Sequence, residues 1–286
     1  GTRYADFGSR TIVPPNQRKP PFWRECQPLF QIKFSAFHGN DENYMAYFKA
    51  INDYGLTWIH GYPSFIMPFA SFVAQNGLTF DKPIKAVTAS AENLYGYQRS
   101  IIEKAFGVQP HALYGLTEAV ACIGEDADHD YIVDEDYSAV EFIECGDYSR
   151  IVGSNLTNFA FPLLRYDTGD LAITTDRLKN GRRVIERIDG RTGELLSLPD
   201  GGKVGALSAL FTESATIKEA QIHQLEDYSV EISFVPLSDN YTEDIAEAEK
   251  RFRDRTKGML PVSFKRVDGI ERTKRGKLRY VVSDIK

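Results

Sequence analysis

Along residues 42–53 the apolar positions Met45, Phe48 and Ile51 stand three apart and Gly55 follows, which predicts an amphipathic helix with a glycine stop. A second helical face, Phe65, Phe69, Phe72 and Val73, opens behind Ser64 as N-cap and closes at Gly77. The period then changes. Residues 83–88 are a short apolar run suited to a buried strand, residues 97–106 read as a helix closed by Gly107, and residues 111–114 as another strand. Strand, helix and strand in about 30 residues make a βαβ unit, and ligands of such sheets bind beyond the carboxyl ends of the strands. The two loops at that edge are Ser90-Ala91-Glu92 and Tyr114-Gly115-Leu116-Thr117-Glu118. Residues 131–173 become strand-rich, with apolar runs at 139–143 and 150–153. After Arg191, strands at 217–224, 229–234 and 263–267 and a helix at 242–257 predict a compact α+β tail. The expected boundary lies near 190–194, so the fold class is α/β, with a large domain over residues 1–191 and a small α+β domain over 192–286.

Composition narrows the picture. Of 286 residues, 42% are hydrophobic and 26% charged, ordinary globular usage with enough apolar surface for a core. A formal net charge of −6 gives no general attraction to nucleic acid or anionic lipid, so a nucleotide must be held by local groups. The three cysteines, Cys26, Cys122 and Cys145, are widely spaced and form no CxxC pair, as expected of reduced thiols in a cytoplasm. No stretch approaches the roughly 20 apolar residues that span a bilayer, and the start lacks a secretory pattern, so a soluble intracellular protein is expected.

Chemistry concentrates in four short segments, each with an ordinary structural alternative. Tyr114 to Glu118 offer a glycine for close approach, a hydroxyl for a phosphate oxygen and a carboxylate for Mg²⁺; the same residues serve as a strand-to-loop turn. Leu164-Arg165-Tyr166-Asp167-Thr168-Gly169-Asp170 carries carboxylates that suit a ribose diol, but it is equally good hairpin-turn chemistry. Asp189-Gly190-Arg191-Thr192-Gly193-Glu194 reads as a hinge with an arginine for ribose or phosphate, or as an exposed loop. Residues 272–279 place five cations around Gly276, as a phosphate-directed loop or a solvated basic tail.

The order and spacing of these pieces resemble the adenylate-forming superfamily of acyl-CoA synthetases, firefly luciferases and peptide-synthetase adenylation domains. The chain looks most like the phenylacetate–CoA ligase branch and its capsule-biosynthesis (CapK-like) relatives. The pieces are Pro20-Pro21-Phe22-Trp23-Arg24, Gly61-Tyr62-Pro63-Ser64, Tyr114 to Glu118, Thr157-Asn158 leading into Arg165 to Asp170, Gly190-Arg191 and Gly276-Lys277. The resemblance implies that the chain holds part of the N-terminal AMP-binding domain, with mixed sheets and flanking helices, and a mobile C-terminal lid. It implies that Ser90, Ala91 and Glu92 line the adenine pocket, with Tyr114 and Gly115 against the base, Thr117 on the α-phosphate and Glu118 on Mg²⁺. Asp170 would take the ribose hydroxyls beside Arg191, Lys277 would neutralise charge during adenylation, and Tyr62 would border the acyl pocket unless it is simply a core aromatic.

The implied reaction joins a small carboxylic acid to ATP, giving acyl-AMP and pyrophosphate, and then passes the acyl group to CoA or another thiol, an amine or an alcohol. Such chemistry depends on positioning and charge neutralisation, which suits the scattered histidines His38, His60, His111, His129 and His223. The Ser/Thr/Gly-rich phosphate loop expected upstream is not in residues 1–10, and Gly193 stands where the family hinge is usually acidic. An incomplete or degenerate homologue that binds AMP without catalysis therefore stays open, as does a purely structural protein. Cys122 and His129 have no paired cysteine, so no structural zinc is expected.

Overall fold

The computed structural model describes residues 2–8, 10–146, 148–191, 195–205, 207–211, 214, 216–272 and 278–285, without the side chains of residues 190, 191, 208 and 209. Six strands form the first half of one twelve-stranded mixed sheet: β1 (Tyr4–Phe7), β2 (Trp23–Cys26), β3 (Gln31–Phe34), β4 (Trp58–Gly61), β5 (Ala86–Ser90) and β6 (Pro110–Gly115). They lie in the order β2-β3-β1-β4-β5-β6, parallel from β3 to β6, with β2 antiparallel at the edge. Three helices fall within this part of the chain: α1 (Asp41–Asp53), α2 (Pro63–Gln75) and α3 (Gly96–Phe106). Alternate strand residues face a shared core: Ala5, Phe7, Ile32, Phe34, Ile59 and Val87 are buried with the helices' apolar sides. Phe7 stacks on Phe34 at 5.1 Å and on Phe69 at 5.5 Å between ring centroids.

The expected βαβ unit is β5-α3-β6, and its strands pair in parallel. Two helix details differ from the pattern. In α1 the buried residues are Tyr44, Tyr47, Ala50 and Ile51, not the stripe through Met45 and Phe48. Tyrosine buries like phenylalanine once its hydroxyl is satisfied, and the Tyr47 hydroxyl donates to the Ser35 carbonyl at 2.6 Å. In α2, Pro63 occupies the first helical position behind Tyr62, so Ser64 lies in the first turn and is not the N-cap. Its backbone N–H and hydroxyl both donate to Glu92, each at 3.1 Å.

The antiparallel half adds β7 (Cys122–Glu125), β8 (Tyr131–Val133), β9 (Ser138–Cys145), β10 (Tyr148–Asn155), β11 (Tyr166–Lys179) and β12 (Arg182–Arg191), in the order β7-β8-β12-β11-β10-β9. Asp167 to Asp170 are not a hairpin turn: they lie inside β11, where the register with both neighbours shifts and Gly169 takes φ +74°. A two-stranded piece, β13 (Leu196–Ser197) with β14 (Lys203–Val204), precedes a separate four-stranded sheet. That sheet comprises β15 (Ile217–Gln224), β16 (Val230–Pro236), β17 (Val262–Arg266) and β18 (Val281–Ser283), in the order β17-β16-β15-β18. Helix α4 (Thr242–Arg255) buries Ala248 and Phe252 in the same apolar cluster as Ile222, Ile232, Phe234 and Leu260. Among the described residues, no helix is long and apolar enough to cross a membrane.

Candidate nucleotide and acid site

A cleft of about 1450 Å³ opens beyond the carboxyl ends of the parallel strands and continues over the sheet face opposite the helices. Its wall includes Tyr62 after β4, Ala91 and Glu92 after β5, Tyr114 and Gly115 at the end of β6 with Leu116 to Glu118 after it, and Thr168 and Asp170 from β11. Lys218 and Glu219 face it from β15, and Arg272, Leu278, Arg279 and Tyr280 from the stretch between β17 and β18. Segments far apart in sequence thus share one cavity.

The bulge in β11 is what aims Asp170. The Thr168 hydroxyl donates to the Ile151 carbonyl at 2.9 Å and accepts from the Asp170 N–H at 3.1 Å, while Gly169 N–H donates to Asp167 at 3.0 Å. Asp167 pairs with Arg150 at 2.7 Å. Asp170 is 7% exposed, and its carboxylate accepts the Tyr114 hydroxyl at 2.8 Å, joining residues 56 positions apart. The β6 loop is fixed by Asn155, whose amide donates to the carbonyls of Glu118 at 3.1 Å and Phe161 at 3.0 Å and accepts from Leu163 N–H at 3.1 Å. Beside it Gly153 leaves room for the loop: a Cβ there would stand 1.9 Å from the Val120 carbonyl oxygen. Neither Asn155 nor Gly153 was singled out by the sequence pattern. An asparagine in a strand end and a glycine in a strand carry no motif until the facing loop is known.

Glu92 reaches across to the first turn of α2, where the helix N-terminus favours a carboxylate. Ala91 before it holds φ +66°, a left-handed conformation that turns the loop sharply after β5. Ser90 ends β5 and is not among the residues lining the cleft. Tyr62 stacks on Phe65 at 5.7 Å. Arg191 pairs with Asp170 across β12 and β11 in the backbone register, and its side chain is outside the described residues, as is all of Lys277.

The four-stranded sheet meets α3 at this cleft. The Tyr97 hydroxyl donates to the Lys218 carbonyl at 2.9 Å, and the Tyr95 and Tyr280 rings lie 5.5 Å apart. Burial, reinforced by Glu219 and Glu92, pushes the Tyr97 phenol well above its usual range, so it stays a neutral donor. Arg272 pairs with Glu219 at 2.6 Å.

A trio missed in the sequence lies below the β6 loop. His111, Glu125 and His129 bring one nitrogen or oxygen each within 4.8 Å of one another, a set that suits a metal ion in type and spacing. Glu125 is already held by both guanidinium nitrogens of Arg99 and by Ala112 N–H at 2.9 Å, which makes this an ion-pair node. Cys122, by contrast, is a free thiol whose pKa is raised by burial and by Asp134.

Comparison with known proteins agrees along the chain. Residues 196–284 match the CapK C-terminal domain family. The Staphylococcus aureus protein CapK is 28% identical over an alignment covering 100% of this chain and 66% of CapK. The indoleacetate–lysine synthetase of Pseudomonas savastanoi is 34% identical over 130 residues, 44% of this chain and 32% of the synthetase. The chain therefore spans just under two thirds of CapK's length and about a third of the synthetase's. Among solved structures, anthranilate CoA ligase AuaEII in complex with anthranoyl-AMP superposes with TM-score 0.65 at 11% identity, over 96% of this chain and 58% of that one. A 2-hydroxyisobutyryl-CoA ligase in its postadenylation state does so with TM-score 0.63 at 18% identity, over 90% and 61%. The chain thus shares the fold of these ligases and is similar to CapK from end to end, with the CapK C-terminal domain over residues 196–284.

Proposed function

We propose that the protein is an ATP-dependent carboxylic-acid ligase. A substrate carboxylate attacks the α-phosphorus of ATP, the bond to pyrophosphate breaks, and acyl-AMP forms; an acceptor then takes the acyl group and AMP leaves. The observation that carries this reading is the Tyr114–Asp170 hydrogen bond, because it brings the two separated motifs to one cleft wall.

Within that cleft Ala91, Glu92, Tyr114 and Gly115 flank the place for the base, after Ser90 at the strand end, and Asp170 with Arg191 is assigned to the ribose. Thr117 lies next to the phosphates. Glu118 is the proposed Mg²⁺ ligand: a carboxylate beside the Thr117 hydroxyl is the hard oxygen set that Mg²⁺ prefers, and bound Mg²⁺ would offset phosphate charge. Tyr62 is assigned to the acid's border. Lys277 is proposed as the lid cation; its chain neighbours Leu278 and Arg279 line the cleft. The separate four-stranded sheet and its few contacts with α3 support a large domain over 1–191 and a lid over 192–286 that turns near Arg191.

The acceptor is a thiol such as CoA in the phenylacetate–CoA ligase-like version of this reading. The names of the solved relatives, both CoA ligases, favour it, while the synthetase's name pairs its acid with an amine. A cytoplasmic role in capsule biosynthesis is part of the same proposal, supported by the match to CapK. Isothermal titration with a non-hydrolysable acyl-adenylate mimic tests the site. Binding that is lost in Asp170→Ala is expected, and equal binding in that variant would remove Asp170 from it.

A further inference from the structure

The cleft does not stop at the adenylate end. It extends along the sheet face opposite the helices, over β4, β1 and β3, where its wall is charged: Asp6, Gln31, Lys33 and His60 line it there. These side chains are neighbours by register, since Asp6 faces Lys33 across β1 and β3 and His60 across β1 and β4. Lys33 Nζ donates to Asp6 Oδ2 at 3.0 Å. His60 shares a 2.8 Å hydrogen bond with Thr88, and its pKa is lowered by burial, so at neutral pH it is a neutral polar group. Gly8 follows β1 beside Asp6, and a Cβ there would stand 3.4 Å from Asp6 Oδ1, an ordinary contact that would cover one side of that oxygen. Gln31 also holds a buried side-chain oxygen with no donor.

Strands in a sheet lie about 4.8 Å apart and residues rise about 3.3 Å along a strand; β1 is three strand steps from β6 and the register sets Asp6 level with His111, three residues short of Tyr114, so Asp6 lies about 17 Å from the Tyr114 loop. We propose that this end of the cleft selects an extended carboxylic acid whose far end carries a hydrogen-bond donor, an ammonium or hydroxyl group, received by Asp6. The proposal rests on the ligase reading above. Plain aryl or alkyl acids would leave the Asp6–Lys33 pair desolvated with nothing in exchange, whereas a donor-bearing tail makes a charge-assisted bond.

ATP–pyrophosphate exchange by the full-length enzyme, without any acceptor, tests this. The probes are ω-amino and ω-hydroxy alkanoic acids of graded length, their methyl-ended counterparts, and phenylacetate. The expected result is a kcat/KM for the best donor-bearing acid about 10²-fold above its methyl-ended counterpart, the discrimination open to a site that hydrogen-bonds its substrate. Asp6→Asn should lower kcat/KM for the amino probe about tenfold more than for the methyl-ended one. Gly8→Ala, which sets a methyl in contact with Oδ1 without removing a charge, should shrink the same preference in the same direction. Exchange that favours methyl-ended acids or phenylacetate, with that order unchanged in both variants, overturns the inference while leaving the ligase reading in place. A loss in Asp6→Asn confined to the acyl-transfer step overturns it too, because the donor would then belong to the acceptor. No exchange with any acid sinks the ligase reading itself.

Discussion

Asp170 is nearly buried, and one of its partners is the hydroxyl of Tyr114, so the two residues stand or fall together. Tyr114→Phe keeps the ring and removes the donor. A net hydrogen bond to a charged group contributes about 1.5–3 kcal/mol, so nucleotide-analogue affinity is expected to fall about tenfold or more, read by titration. Unchanged affinity would mean that Asp170 is aimed without Tyr114. Gly153 gives a test of shape. A methyl at 1.9 Å from the Val120 carbonyl cannot be accommodated without moving the backbone, so Gly153→Ala should destabilise by about 3 kcal/mol, measured by denaturant unfolding. At this scale short motifs mark Tyr114 and Asp170 in the sequence, and the fold joins the two in one hydrogen bond. The sequence was silent for Asn155 and Gly153, whose partners Glu118 and Val120 become neighbours only after β10 pairs into the sheet.

Among the elements, the β5-α3-β6 unit was legible because its helix and strands are each marked by periodicity and Gly107 ends α3 in the left-handed conformation, φ +74°. The apolar side of α1 was not, because tyrosines count as polar or apolar depending on a partner the sequence does not show. The Asp-Thr-Gly-Asp run looked like a turn for a sound reason, since it does bend the chain, but it bends a strand that pairing on both sides keeps intact. What ties α3 to β6 and β7 is Glu125, whose side chain is 1% exposed, with Arg99. Burial alone would raise the Glu125 pKa; hydrogen bonds from Arg99, Ala112 N–H and His129 outweigh it and lower the value below 4.5. A folded value below the unfolded one gives stability that is present above pH 4.5 and is lost as pH falls through the folded pKa. Arg99→Met should therefore destabilise at neutral pH by about 3 kcal/mol, and the acid-side fall in stability should become shallower than in the parent. Unfolding curves over a pH series check both, and a parallel downward shift at every pH would contradict the linkage.

For the molecule as a whole, two sheets share one cleft, and Arg272 and Leu278 to Tyr280, the ends of the segment that holds Lys277, line it. If that segment delivers Lys277 to oxygens that gain charge during adenylation, its contribution belongs to rate and not to binding. Lys277→Ala should lower the adenylation rate by about 10²-fold with nucleotide affinity little changed, while Lys274→Ala and Arg275→Ala stay near the parent. Equal, modest losses in all three would return the segment to a generic basic tail. The central claim, that this cleft activates a carboxylate with ATP, is tested most directly by acid-dependent ATP–pyrophosphate exchange in the full-length protein across aryl, alkyl and amino acids. Exchange that requires both an acid and ATP, and that Asp170→Ala abolishes, is the predicted result. No exchange with any acid, from a protein that still binds the acyl-adenylate mimic, would contradict it.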